Sequence, residues 1–276
     1  NDVSEAVPSI VRVYPNGSAD INHFQACGGM GYLIKTLRNG GYLNENVKTV
    51  MGEGLEAYTK EPRIEGDKLV WKDSPQESLD KEVLRSVDEA FSPTGGLKIL
   101  DGNLGRSVVK ISAVKEEHYV VRARAEVFSD QNEVVEAFKR KELNKDVIVV
   151  VKNQGPQANG MPELHKLTPS LSILQNQGYK VALVTDGRMS GASGKVPAAI
   201  HLTPESMNNG PIAKIQSGDL LELNADTGQL NCLEDGFADR TVDKQSIIGQ
   251  SGVGRELFAQ IRPLISQSEL GASFII

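Results

Sequence analysis

From Leu97 onward the chain is a succession of short stretches rich in β-branched and other apolar residues, and this pattern limits its fold more than any other feature. The runs are Leu97 to Leu100, Val108 to Ile111, Val120 to Val127, Val147 to Val151, Val181 to Val184, Ala198 to Leu202, Ile212 to Ile215 and Leu220 to Leu223. Most are too short for helices and have turn-forming residues nearby, as strands do. Eight of them predict a closed or nearly closed sheet. Helices are expected to interrupt it after Ser129-Asp130, which suit an N-cap, and after Thr168-Pro169, where proline suits a first helical turn. Val253, Leu257, Phe258 and Ile261 mark one face of a final helix limited by Pro263. A barrel-like sheet with inserted helices follows.

The preceding residues have a different rhythm. Pro15-Asn16-Gly17 is a turn, Asp20 can cap a helix, and Phe24, Met30, Leu33, Ile34 and Leu37 recur near helical spacing until Gly40-Gly41. A second helix is expected from Asn46 to Tyr58, with Val47, Val50, Met51 and Leu55 inward. Residues 61–93 turn polar, with Trp71 as the one large anchor, and predict a connecting segment with a short helix around Val83 to Phe91. A domain boundary is expected near Thr94-Gly95-Gly96.

A chain of 276 residues with 39% hydrophobic content can build one large core or two ordinary ones. Its 36 acidic against 30 basic residues and 5% aromatics provide neither a cationic stripe nor stacking platforms, so nucleic acid is not an expected partner. No apolar run approaches the roughly 20 residues that span a bilayer, so no membrane insertion is expected. Cys27 and Cys232 lie far apart without a CxxC pairing, which suits a reducing cytoplasm and two inert thiols. Asn1-Asp2-Val3-Ser4 has no initiator methionine and no secretory signal, so the chain is expected to be a fragment.

Chemistry-bearing residues concentrate in two loops after buried strands. Val184-Thr185-Asp186-Gly187-Arg188-Met189-Ser190-Gly191-Ala192-Ser193-Gly194-Lys195 sets a hydroxyl, a carboxylate and two cations on a glycine-rich turn. Lys152 to Glu163 follows the run 147–151 in the same way. Each candidate also has a plain structural reading. Glu163, just after Pro162 at an expected helix start, is favoured there by the helix dipole whether or not it binds anything. Ser190 could simply satisfy backbone groups in a turn, and the glycines could serve a tight connection.

Four ordered blocks nevertheless resemble the dihydroxy-acid and phosphogluconate dehydratase family along almost the whole chain. They are Tyr14-Pro15-Asn16-Gly17 with Gly28-Gly29; Gly95-Gly96-Leu97 with Asp101-Gly102-Asn103-Leu104; Gly160-Met161-Pro162-Glu163; and Thr185-Asp186-Gly187-Arg188-Met189-Ser190-Gly191. Within the family, Gly194-Lys195-Val196-Pro197-Ala198-Ala199-Ile200-His201 is similar to the phosphogluconate type. The resemblance implies an α/β protein: residues 1–80 as the helical tail of an amino-terminal α/β domain, 81–95 as a linker, and 96–276 as a carboxyl-terminal β-barrel domain with the site at the interface.

The same resemblance implies a cytoplasmic, homodimeric hydro-lyase that removes water from 6-phospho-D-gluconate, a small phosphorylated sugar acid, in the Entner–Doudoroff pathway. It makes Ser190 the base for the C2 proton, Glu163 a magnesium ligand, and Thr185, Asp186, Arg188, Gly191, Ser193 and Lys195 substrate contacts, with Lys195 on the phosphate. It also implies an iron–sulfur cluster, of the four-iron type before the two-iron type. Such a cluster needs about three thiolates. Cys27 and Cys232 do not match the family's cluster cysteines, so those ligands are expected outside this chain, which would not turn over substrate alone. The alternatives are a family dehydratase for an unphosphorylated aldonate or branched dihydroxy acid, and a non-catalytic module that has kept the barrel.

Overall fold

The computed structural model describes residues 2–190, 194–242, 251–252 and 254–275. The chain divides into two compact units, Asn1–Gly96 and Leu97–Ile276.

In the first unit, α1 (Asp2–Ala6) precedes α2 (Ile21–Ala26), which Asp20 caps by accepting from the His23 N–H at 2.8 Å. The single helix expected to Gly40 is two, because Gly28 and Gly29 take φ of 134° and 54° and break the ladder before α3 (Gly29–Asn39). A Cβ on Gly28 would lie 2.9 Å from that of Tyr32. Phe24, Cys27, Tyr32, Val83 and Leu84 form this unit's core.

The helix expected over 46–58 is absent. There, β1 (Lys48–Thr49) pairs with β2 (Gly52–Glu53), and a 3-10 turn spans Glu56–Thr59. Positive φ at Gly52 and Gly54 excludes a continuous helix, and Val50 is 99% exposed at the turn. The polar stretch after it forms a hairpin, β3 (Lys60–Glu65) with β4 (Lys68–Asp73), through Gly66-Asp67. The short helix expected near Val83 is a bridge from Leu84 to Val11 followed by a 3-10 turn, Val87–Glu89.

The second unit is a closed eight-stranded barrel. Its strands are β5 (Leu97–Gly102), β6 (Gly105–Lys110), β7 (Val120–Phe128), β8 (Val147–Val151), β9 (Val181–Thr185), β10 (Ala198–Thr203), β11 (Leu220–Asn224) and β12 (Gln229–Cys232). Their order around the barrel is β10-β6-β5-β12-β11-β7-β8-β9. Strands β7, β8, β9 and β10 run parallel, with Val147 opposite Val181 and Val151 opposite Thr185. The connections between β7, β8 and β9 are helical: α4 (Gln131–Lys139), then the short α5 (Pro156–Asn159) and α6 (Leu167–Asn176). Asp130 caps α4 by accepting from the Asn132 N–H at 2.7 Å.

Strand β8 is apolar throughout because both faces are covered. Ile148 and Val150 join Leu100, Ala182, Val184 and Leu221 in the barrel interior. Val147, Val149 and Val151 pack outward with Val134 and Ala137 of α4 and Leu167, Leu171 and Leu174 of α6.

One expected strand is wrong and one was missed. Ile212 and Ile215 lie on a 3-10 turn, Pro211–Lys214, and at its end. Spaced three apart, they are buried together in the interior cluster, where a helical period suits them better than a strand's. The eighth strand is β12, which closes the barrel between β11 and β5 through Gln229 opposite Asp101. The terminal helix is also shorter than expected: α7 covers Arg255–Phe258, and a 3-10 turn spans Arg262–Leu264.

Candidate functional site

Because β8 and β9 are parallel neighbours, the loops after Val151 and Thr185 emerge side by side at one end of the barrel. Between them Glu163 and Arg188 form a β-bridge, and Leu164 N–H donates to the Arg188 carbonyl at 3.2 Å. The side chains complete the tie. Arg188 Nη1 donates to Glu163 Oε2 at 2.8 Å and its Nε to the Met161 carbonyl at 2.8 Å, while Ser190 N–H donates to Glu163 Oε1 at 2.7 Å. One carboxylate therefore holds both the cation and the serine of the neighbouring loop. Arg188 and Ser190 are exposed and Glu163 is half-buried, so the cluster faces outward from this unit. Glu163 is not in a first helical turn, since α6 begins four residues later at Leu167.

Asp186 has a different place. It is fully buried, and its Oδ1 accepts from the Gln154 N–H at 2.8 Å while Oδ2 accepts from Ser206 N–H at 3.0 Å and Ser206 Oγ at 2.6 Å. Burial pushes its carboxyl pKa up against those hydrogen bonds. Thr185 is equally buried, and its Oγ1 accepts from the Gly187 N–H at 3.0 Å. Both side chains are turned into the protein and shape the turn. Gly187 allows that turn to close, since a Cβ there would stand 2.7 Å from Gln154 Cβ.

Sequence reasoning missed the groups behind the loops. Glu205 is buried, and its carboxylate accepts from the Gln157 and Ala158 N–H groups at 3.0 and 3.3 Å. Burial raises its pKa, backbone hydrogen bonds oppose the rise, and the nearby Asp186 charge adds to it. His201 N–H donates to the Gly187 carbonyl at 2.9 Å, and its ring is held toward the neutral form by burial and then by the Arg188 charge. Asn153 and Met161, within the first loop, and His201, which pairs with Gly187 of the second, adopt left-handed backbone at φ of 64°, 52° and 57°. Such strain in non-glycine residues concentrates at functional sites.

Lys195 stands apart from the cluster. Its carbonyl accepts from Gln175 Nε2 at 3.0 Å, near the carboxyl end of α6, and Pro197 two residues later accepts from the Leu183 N–H in mid-β9. The lysine therefore lies toward the start of β9, whereas Arg188 and Ser190 follow its end. Gly191 and Ser193 fall outside the described residues.

The chain matches the family model described as dihydroxy-acid/6-phosphogluconate dehydratase C-terminal over residues 82–272, and the corresponding N-terminal model over residues 1–58. It belongs to the dihydroxy-acid/6-phosphogluconate dehydratase family. A phosphogluconate dehydratase of Pseudomonas aeruginosa is 53% identical over 274 residues, which is 99% of this chain and 45% of that protein. The phosphogluconate dehydratase of Escherichia coli strain K12 is 49% identical over 279 residues, 100% of this chain and 46% of the relative. A dihydroxy-acid dehydratase of Ignicoccus hospitalis is 34% identical over 238 residues, 85% of this chain and 40% of the relative. The chain thus spans about half the length of the curated relatives it matches.

The donor sets bear on the two groups that the family implies. Cys27 belongs to the first unit's core and Cys232 to the barrel interior, and burial raises both thiol pKa values, opposing the thiolates that a cluster needs. These two residues do not fit an iron–sulfur cluster. Among the described residues no group of three or more histidine, cysteine, aspartate or glutamate side chains is placed to hold a metal ion. Glu163 is a half-buried carboxylate at the loop surface whose two oxygens already meet Arg188 and the Ser190 N–H, so it offers magnesium at most one further oxygen contact, with the other ligands drawn from elsewhere. No helix of the described residues is long and apolar enough to cross a membrane.

Proposed function

We propose that the full-length protein is a hydro-lyase that converts 6-phospho-D-gluconate into 2-dehydro-3-deoxy-6-phospho-D-gluconate and water, a step of the Entner–Doudoroff pathway. The observation that carries this reading is the joining of Glu163, Arg188 and Ser190 at one barrel end, in a chain about 50% identical to proteins named phosphogluconate dehydratase. The 34% identity to a dihydroxy-acid dehydratase ranks the branched-acid alternative lower. On family grounds the proposal includes a homodimer working in the cytoplasm.

The reaction breaks the C2–H and C3–O bonds, forms the C2–C3 double bond, releases the C3 hydroxyl with a proton as water, and leaves an enol that tautomerises to the 2-keto acid. Ser190 takes the C2 proton at Oγ. A serine hydroxyl is far too weak a base unless its conjugate anion is stabilised, and the Arg188 guanidinium two residues away supplies positive charge for this. Glu163 fixes both residues, so the base and the cation keep their geometry while charge develops. Arg188, the exposed cation of the cluster, steers the substrate carboxylate. Asp186 and Thr185 support this indirectly by holding the turn. Magnesium held in part by Glu163 would stabilise enediolate charge on the substrate carboxylate. This chain's two buried cysteines do not fit a cluster, so a Lewis acid for the departing C3 hydroxyl would have to be held by residues beyond them.

The test is a substrate panel on the full-length protein: 6-phosphogluconate, gluconate and a branched 2,3-dihydroxy acid, with 2-keto acid formation followed by NMR. The phosphorylated acid should be dehydrated with the highest kcat/KM. Turnover of the branched acid alone, or of none, sinks the proposal.

A further inference from the structure

The carboxyl-terminal segment of the barrel unit closes around a cavity of about 430 Å³, lined by Arg255, Arg262, Asn159 and the apolar Pro156, Phe258 and Ile265 among others. No carboxylate lines it among the described residues. Arg262 lines the cavity, and its Nε and Nη1 are buried without a hydrogen-bond acceptor among the described residues. A guanidinium stays charged at any physiological pH, so burying its donors without acceptors is costly unless an anion meets them. Arg255 donates through Nη2 to Asn159 Oδ1. Glu256, next to Arg255 in sequence, accepts at Oε1 from the Gly252 N–H at 2.9 Å.

This cavity is coupled to the loops of the candidate site. Asn159 Nδ2 donates to Gln154 Oε1 at 2.9 Å, and the Gln154 N–H in turn donates to Asp186. Gln157 Nε2 donates to the Ile265 carbonyl at 2.7 Å and ties the carboxyl-terminal segment to the same loop. Gly160, on the cavity wall, precedes Glu163 by three residues, at most about 10 Å of extended chain.

We propose that this cavity binds the phosphate of the substrate, with Arg262 as its principal ligand and Arg255 as its second. The inference rests on the reading of a phosphorylated acid as substrate. Two guanidiniums in an apolar pocket recognise an oxyanion through charge-assisted, fork-shaped hydrogen bonds, which strengthen as water is excluded. The place of Lys195 toward the start of β9 makes it the weaker candidate.

The test uses the full-length protein, with Arg262→Met, which keeps the apolar stem, and Arg255→Met as a second variant. Arg262→Met should raise KM for 6-phosphogluconate roughly ten- to a hundredfold, as expected for lost charge-assisted hydrogen bonds, while kcat at saturation changes little. Inorganic phosphate should compete with substrate and raise the Tm of the wild type but not of Arg262→Met. Unchanged KM in both arginine variants, a KM rise confined to Lys195→Ala, or no phosphate-induced Tm shift in the wild type would overturn the site. If the wild type dehydrates no phosphorylated acid but still shows an Arg262-dependent phosphate shift, the functional proposal falls and the anion site stands.

Discussion

Glu163 uses one oxygen on Arg188 and the other on the Ser190 backbone, so replacing Glu163 and replacing Ser190 should damage the protein in different ways. Ser190→Ala in the full-length protein keeps the backbone N–H that Glu163 accepts, and the loop should hold its shape. Its kcat should fall by about 10²–10⁴ while KM stays within a few-fold, the usual size of a positioned acid–base contribution. The direct measurement is exchange of the C2 hydrogen in D₂O, followed by NMR. Exchange at the wild-type rate in Ser190→Ala would return Ser190 to a loop-shaping role. Glu163→Gln leaves a neutral partner beside Arg188 and removes a candidate magnesium ligand. Its rate should drop and recover in part with added magnesium, so a loss indifferent to magnesium would count against Glu163 as a ligand.

At the scale of elements, two buried carboxylates brace the loops, and both are held above their ordinary pKa values, near 3.8 for Asp186 and 4.5 for Glu205. A carboxyl whose folded pKa is raised binds more protons folded than unfolded, so stability declines as pH rises from the ordinary value through the raised one. The pair should therefore give the wild type a Tm that falls between about pH 4 and the raised values more steeply than in Asp186→Asn with Glu205→Gln. Parallel Tm–pH curves for the two proteins would refute this. The brace was invisible in the sequence because Asp186 and Ser206 are 20 residues apart, and Glu205 and Gln157 are 48 apart. What was legible had a local signature. Strands β8 and β9 are unbroken apolar runs, and Glu163, Arg188 and Ser190 sit in loops that leave them. Strand β12 offers only Leu230 and Cys232 between polar residues, and it is a strand because β11 and β5 flank it. Ile212 and Ile215 read the opposite way, since the short stretch Ile212-Ala213-Lys214-Ile215 does not reveal whether its apolar period is two or three.

At the scale of the molecule, the thiol count decides what the chain can do alone. Its 276 residues contain two cysteines, one buried in each compact unit, and burial raises both thiol pKa values. A cluster that leaves one iron open to substrate still needs about three thiolates, and raised pKa values suppress the thiolate form. If the proposed dehydration uses such a cluster, its ligands must come from residues beyond these, as the coverage of about half of each relative permits. Anaerobic reconstitution with iron and sulfide should then give the 276-residue chain no stoichiometric visible absorption, while the full-length protein acquires a four-iron spectrum that oxygen bleaches. Cys27→Ser and Cys232→Ser in the full-length protein should leave that spectrum in place, because neither thiol is exposed to an incoming iron. Loss of the spectrum in either variant would assign that cysteine to the cluster and require its unit to open for iron to enter.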